Sequence, residues 1–575
     1  MADRARIAGV FADGAKRTAL ANALASPLLR WRYSAAATGE ILIIPKVLRI
    51  ADPSFFNELR LGEFGLAGQY ATAADGSPFD ITPPSLDWQY ELHGFSWLRH
   101  LEAVDDPEAS EMARQLVFDW LGRHSSGLNA TDACEVSARR IMSWISHAPL
   151  VLEGASDVDQ DRFVQAVGKQ LANLSATWRN AAPGQPRLLT LIALCVGNLS
   201  LGGYDRQLPD AMRRLQEELN HQVISADGHI TRNPATMIEI LLDLLPLSQC
   251  FKARDLEPPT AVPEACNKML LTLRHLQLGD SGLARFNGMG PPTPAELATV
   301  LAYDDLTDPT RKPPPLIKNG YARLISGPSL VVIDVGEPPP FEVSGDAHAG
   351  CLSFEWSFGD APILINGGAP RGSDPIKKLA ARSTASHNTL RLNDESSSEL
   401  VKHSSLQSAL GVTPMRNPSN VLVMAEIIPN EGDIFAEPGT LTPSGLEASH
   451  DGYMDRHALL HTRRIELRDS GRTLTGEDSL AGHKTSVRLP RDLPFAVHFH
   501  LAPSIHARLI DNGRRIHIQL TDSQHAVFEA DGASLGIEPG EFYACSSGAK
   551  PTQQIVLRGS TFGETQIGWS VTVQA

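Results

Sequence analysis

Hydrophobic positions recur along this chain with two different periods, and the change between them falls just past its middle. From about residue 88 to 305, apolar side chains return every three or four positions, the spacing of one face of an α-helix. ASEMARQLVFDWLGRH brings Met112, Leu116, Val117 and Trp120 together, and CEVSARRIMSWISHAPLVL does the same for Val136, Ile141, Ile145 and Leu150. DRFVQAVGKQLANLSATW adds Phe163, Val167, Leu171 and Leu174. Further helices are predicted near 186–201, 206–224, 235–248 and 262–278, joined by short Gly, Pro and Asn connections. Antiparallel amphipathic helices of this kind form a bundle, a solenoid or a closed toroid. Periodicity does not choose among them.

The switch comes at DPTRKPPPLIKNGYARL, roughly 308–323, where three consecutive prolines end helical structure and favour an extended linker. Beyond it the period drops to two, in RLISGPSLVVIDVG, CLSFEWSFGDAPILIN, HNTLRLND, RRIELRDSGRTLTGED, FAVHFHLAP and ARLIDNGRRIHIQLTD. The turn signals DSG and DNG sit between such runs, as hairpins require. Three regions are expected: a mixed N-terminal arm over 1–85, a helical domain over 86–315, and an antiparallel β-sandwich over 316–575.

Bulk composition narrows the picture. A chain of 575 residues exceeds one ordinary core, so two domains are the default. A formal charge of −15 argues against a nucleic-acid footprint, and any anionic ligand must be met by a local basic pocket working against the global field. The six cysteines lie far apart with no CxxC pair, which excludes a zinc-ribbon framework and favours reduced, buried thiols. No run of 18 apolar residues occurs, and the first residues lack an apolar core of signal-peptide length. The expectation is a cytoplasmic protein without a membrane partner, periplasmic if the true start lies upstream.

Candidate chemistry gathers at three places. GDAHAGCLSFEWS and RSTASHNTL set His348 and His387 beside small residues that leave room for a metal or a substrate, and Asn366 in ILINGG offers an oxygen. The alternative is that both histidines are simply hydrogen-bonded or exposed in turns. SADGHITRNPATM joins His229, Arg232 and Asn233 at a helix start; this suits a carboxylate, while Asn before Pro is equally a natural N-cap. SHDGYMDRHALLHTRR holds His450 and Tyr453, side-chain types able to take a proton α to a carboxylate or return one to a leaving oxygen. Tryptophans of the helical half, Trp144 among them, can stack on sugar rings or fill a core.

NGYARLISGPSLVVIDVG, HAGCLSFEWS, ILINGG, RSTASHNTL, HDGY and GEDSL, taken in order with ADGHITRNP upstream, resemble the heparinase II/III-like polysaccharide lyases from about residue 30 to the end. The resemblance implies an α+β multidomain fold: an N-terminal α/α toroid, an incomplete helical barrel, followed by a C-terminal antiparallel β-sandwich. It implies cleavage of uronic-acid polysaccharides by β-elimination in a cleft between the two. Arg232 and Asn233 would neutralise the uronate carboxylate, and Tyr453, His229 or His450 would move protons. Gln185, Arg187, Trp144, Arg382 and Asn388 would contact substrate. His348, Asn366 and His387 match the family's positions for a supporting, zinc-like divalent metal, and no organic cofactor is implied. Several positions depart from the family pattern. Gln185 and Pro186 stand where an Asn-His pair is common, Thr236 stands for a Tyr, Asp346 for a catalytic His and Asn366 for an Asp.

The leading expectation is therefore a lyase whose partner is an acidic poly- or oligosaccharide. One rival is a carbohydrate-binding or assembly protein that kept the fold and lost the chemistry. Another is a glycoside hydrolase using carboxylates such as Asp227 with Glu239 or Asp346. The oligomeric state is left open, a homodimer included.

Overall fold

A computed structural model describes residues 40–73, 76–124, 133–291, 293–304, 315–372, 374–400, 413–416, 420–424, 444–482, 492–521, 523–561 and 565–574. The chain divides into two compact units, and they are not contiguous in sequence. One comprises residues 1–226, 238–269 and 295–304; the other comprises 227–237, 270–294 and 305–575. The segment around Arg232 thus packs with the strands of the second unit, although it lies within the helical stretch of the sequence. The Pro-rich linker from 308 to 314 lies outside the described residues.

In the first unit the helical periodicity becomes helices Pro107–Arg123, Cys134–Ser146, Asp157–Thr177, Gln185–Ser200 and Leu208–Leu219, together with the first turns of Ala261–Leu276. Two of the starts carry side-chain caps. The Asp106 carboxylate accepts the Glu108 N–H ahead of Pro107, and the Ser156 hydroxyl accepts that of Asp159. The buried face of Pro107–Arg123 is Ala109, Ala113, Val117 and Trp120, leaving Met112 and Leu116 half-buried. The helix expected over 206–224 stops at Leu219 and continues as one wider turn through Ile224. Gln185–Ser200 is buried on every side from Leu188 to Ser200, the position of an apolar helix with no polar stripe. Pro234–Ala253 is long and apolar enough to span a bilayer, yet 72% of that window is buried in protein, as a core helix is.

The second unit is built from antiparallel sheets. An eight-stranded sheet runs, in spatial order, Val421–Met424, Gly445–His450, Leu459–Arg468, Thr473–Gly482, Thr565–Gln574, His525–Asp531, Arg515–Gln519 and His506–Ile510. A four-stranded sheet holds Ser534–Phe542, Lys550–Ser560, Pro494–His500 and Leu390–Leu392. A five-stranded one runs from Ile317–Lys318 to Ala361–Leu364. Leu459–Arg468 shows why period two gave the right class: burial alternates strictly along it, so every second side chain enters a core that includes Phe354, Trp356, Phe499 and Trp569.

Candidate functional site

Ten of the thirteen candidate residues belong to the β unit; Gln185, Arg187 and Trp144 belong to the helical one. Trp144 is fully buried, its ring against Phe95, Trp120 and Phe163, so it fills a core and is closed to a sugar. Gln185 and Arg187 are half-buried at a helix start, where Arg187 donates to the Ala181 carbonyl at 3.1 Å.

Arg232 sits in left-handed backbone, φ 55°, at the turn before Pro234. Its side chain is buried and its donors are spent on protein. Nε reaches the Asn319 carbonyl at 3.1 Å, and Nη1 reaches that of Glu337 at 3.0 Å. Nη2 reaches the Gly320 carbonyl at 2.9 Å and Asp334 Oδ1 at 2.5 Å. The guanidinium lies 4.5 Å over the Tyr321 ring. A Cβ on Gly336 would fall 2.6 Å from its carbon, so that glycine is what lets the chain close around it. Burial opposes the charge and Asp334 outweighs that, raising the guanidinium pKa. The expectation that Arg232 is open to a substrate carboxylate is corrected: its carboxylate is Asp334.

The neighbours follow the same logic. Asn233 Oδ1 accepts the Ala235 N–H at 3.0 Å, the helix-capping use. His229 is wholly buried; Nδ1 accepts from the Thr231 N–H and hydroxyl, and burial pushes its pKa down to about 3, so it is neutral. Tyr453, expected as a base, is also wholly buried. Its hydroxyl donates to the Leu390 carbonyl at 2.9 Å, and burial moves its pKa upward, away from ionisation. His450 stands in a chain of fixed tautomers. The Gly452 N–H donates to His450 Nδ1 (3.1 Å), and His450 Nε2 meets His461 Nδ1 (3.0 Å). His461 Nε2 then donates to Asp478 Oδ1 at 2.7 Å. Both nitrogens of His450 are therefore occupied. Asp478 also receives Arg463 at 2.8 and 3.0 Å and Trp569 at 3.0 Å.

His348 and His387 do meet, directly: Nδ1 of the first lies 2.9 Å from Nε2 of the second. His387 Nδ1 faces the Ser383 carbonyl at 2.7 Å and must carry its proton there, so Nε2 is the acceptor and His348 Nδ1 the donor. A Cβ on Gly350 would come within 2.9 Å of the His387 ring, which explains the small residues around these histidines. Burial drives both imidazoles down, His387 to about 4. Asn366 is buried, and its Oδ1 already accepts the Asn388 N–H at 2.9 Å. Among the described residues no group of three His, Cys, Asp or Glu side chains converges as a metal site would require. Two imidazoles hydrogen-bonded to each other and to the Ser383 carbonyl, with an amide oxygen that already accepts an N–H, do not fit the zinc-like set that the sequence pattern implies, because a site needs three or four free donor atoms converging on one point.

Arg382 and Asn388 are likewise spent. Arg382 donates to the carbonyls of Ala347, Ser344 and Thr413 at 2.8–2.9 Å. Asn388 donates to Phe354 O and accepts the His500 N–H. The Arg232 turn and the paired imidazoles are joined, but through protein: Arg232 to Asp334, Asp334 to Asn287 Nδ2 at 3.4 Å, and Asn287 Oδ1 to the His348 N–H at 3.4 Å. Sequence reasoning passed over Asp334, Asn287 and Glu355. The available signal was an acid inside an apolar strand, in LVVIDVG and LSFEWS. Glu355 is wholly buried, accepts the Arg285 and Asn366 N–H groups at 2.8 and 3.0 Å, and burial raises its pKa to about 7.

Comparison with known proteins places this geometry. Residues 308–570 match the family described as heparinase II/III-like, C-terminal. FtsZ-localized protein C of Caulobacter vibrioides (strain NA1000 / CB15N) is 28% identical over 540 residues, covering 91% of this chain and 88% of that protein. Among solved structures, a heparan sulfate lyase HepC mutant from Pedobacter heparinus aligns with TM-score 0.63 and 15% identity over 99% of this chain and 90% of its own. A heparinase III aligns with TM-score 0.66 and 11% identity over 96% and 89%. The fold class is thus an α/α toroid with a C-terminal antiparallel β-sandwich.

Proposed function

From its membership of the heparinase II/III-like family, carried by residues 308–570, we propose that this protein recognises an acidic glycan on a lyase-type fold without performing the elimination. Elimination needs a cation or convergent donors on the uronate carboxylate, a base at C5 and an acid at the leaving oxygen. The observation that supports the reading is that Arg232, Tyr453, His229 and His450 are buried and hydrogen-bonded to the protein itself. The departures at Thr236, Asp346 and Asn366 point the same way. Of the three carboxylates of the hydrolase alternative, two are already ion-paired: Asp227 with Lys318 at 3.0 Å and Glu239 with Arg49 at 2.8 Å.

The test is incubation of the full chain with heparan-, alginate- and glucuronan-type polymers, following both calorimetric binding and ultraviolet absorbance of a new C4–C5 double bond. Saturable binding with unchanged polymer mass is expected. Accumulation of unsaturated fragments would overturn the reading in favour of a lyase; fragments heavier by one water would favour a hydrolase. A second reading of the partner rests on the relative named for its localisation with FtsZ. Co-sedimentation of the protein with FtsZ polymers, in the absence of glycan, would assign it an assembly role instead.

A further inference from the structure

We propose that the helical unit carries an anion site of its own, a small cavity that takes one tetrahedral oxyanion, a phosphoryl or sulfo group. The cavity measures about 40 Å³, lined by Lys46 and Arg49 of an extended segment, Arg99, Arg139 with Ser143 and Ser146 of helix Cys134–Ser146, and Asp243 of helix Pro234–Ala253. At roughly 10–15 Å³ per water centre, that is room for a few waters or one small anion.

The charge balance is lopsided. Four cations line the cavity; one carboxylate of the lining, Asp243, and one outside it, Glu239, answer them. Asp243 is held by Arg49 at 2.5 Å and by both arms of Arg139 at 2.7 and 2.8 Å. Burial works against its charge and the two guanidiniums overcome it, bringing its pKa down to about 2. Glu239 takes the other arm of Arg49 at 2.8 Å. Arg99 is left with carbonyls alone, Nε on Ile50 O at 3.0 Å and Nη1 on Ser96 O, and makes no ion pair among the described residues. Burial first, then the like charges of Arg49 and Arg139, lower it to about 10, with Glu91 and Glu296 acting the other way. A half-buried cation beside two others, in a chain of formal charge −15, runs against the global field. A bound anion relieves that repulsion.

The hydroxyls give the second, independent sign. Ser143 and Ser146 lie three residues apart on one helix face, line the cavity, and are 7% and 8% exposed. Neither side chain hydrogen-bonds any described residue. Both hydroxyls are therefore free to donate to, or accept from, whatever enters the cavity. Hydroxyls from one helix and guanidinium edges from other segments approach the cavity from several directions. That suits four tetrahedral acceptors better than the two coplanar oxygens of a carboxylate.

The experiment is calorimetric titration of the full chain with inorganic phosphate, inorganic sulfate, glucosamine 6-sulfate and acetate, against potassium chloride at matched ionic strength. One equivalent of phosphate or sulfate is expected to bind, with at least tenfold loss in Arg99→Gln. Lys46→Gln, at an exposed position, should lose several-fold with the fold intact and keeps the test readable if Arg99→Gln does not fold; so does Ser146→Ala. Equal affinity for inorganic sulfate and glucosamine 6-sulfate assigns the site to the free ion, and tighter binding of the sugar sulfate to a group carried on a glycan. The proposal is overturned if no ion gives saturable heat above chloride, if acetate matches phosphate, or if the Lys46 and Ser146 variants bind as the wild type does.

Discussion

Replacing Asp478 with Asn changes one oxygen for one nitrogen at the most connected carboxylate of the β unit. Asp478 and His461 are wholly buried and Arg463 is 1% exposed, so solvent does not screen their charges from one another. In the native protein, four contacts of 2.7 to 3.0 Å converge on the two carboxylate oxygens from His461, Arg463 and Trp569. The pair's attraction is about 4 kcal/mol at an effective dielectric near 20. The substitution leaves Arg463 a buried cation without a counter-charge, its donors met by the Leu352 and Asn388 carbonyls and by a single neutral amide oxygen. Removing one partner of a buried pair costs about 3–5 kcal/mol. Urea unfolding is the assay, followed by fluorescence of Trp569, whose ring stacks on Phe354 at 5.5 Å and whose N–H binds Asp478. The transition midpoint should fall by an amount equivalent to at least about 3 kcal/mol. Arg463→Met in the same chain removes the orphaned charge and should restore at least half of the loss. A shift below about 1 kcal/mol, or a double variant no better than Asp478→Asn, would refute the reasoning that this buried carboxylate stabilises the fold by compensating Arg463.

Other outcomes rest on the same kinds of contact. Tyr453→Phe deletes one buried hydrogen bond to Leu390; it should lower stability by about 1 kcal/mol and leave glycan affinity unchanged, as equilibrium unfolding and calorimetry would read. Acid should unfold the β unit early. His229, His387 and His500 have folded pKa values depressed by burial to about 3, 4 and 3, so their stabilisation is present above pH 6.5 and lost as pH falls toward 4. Each is worth up to about 3 kcal/mol, and a flat stability profile between pH 7 and 5 would contradict it. Glu355 works in the opposite sense: raised by burial to about 7, it destabilises the fold as pH climbs from 4.5 to 7, and Glu355→Gln should remove that component. Zinc should be well below one equivalent in purified protein, and added zinc should leave the melting temperature unchanged; one tightly held equivalent would reverse the reading of His348 and His387 as a hydrogen-bonded pair.

Two classes of information about this chain separate cleanly. The alternation in Leu459–Arg468 and the three-to-four spacing in Cys134–Ser146 were legible because each depends only on which face of one element meets a core. The motifs of the β half were equally legible, since their order along the chain is itself the family pattern. The roles of the charged and aromatic residues were not. Arg232 looks like a substrate clamp until Asp334, about a hundred positions later, is found 2.5 Å away. Tyr453 looks like a base until Leu390 takes its proton's hydrogen bond. Trp144 looks like a sugar platform until three aromatic rings cover it. Local pattern fixes secondary structure because the backbone's neighbours are near in sequence. A polar side chain's duty depends on desolvation and on partners brought in from distant segments, and both exist only once the chain has packed.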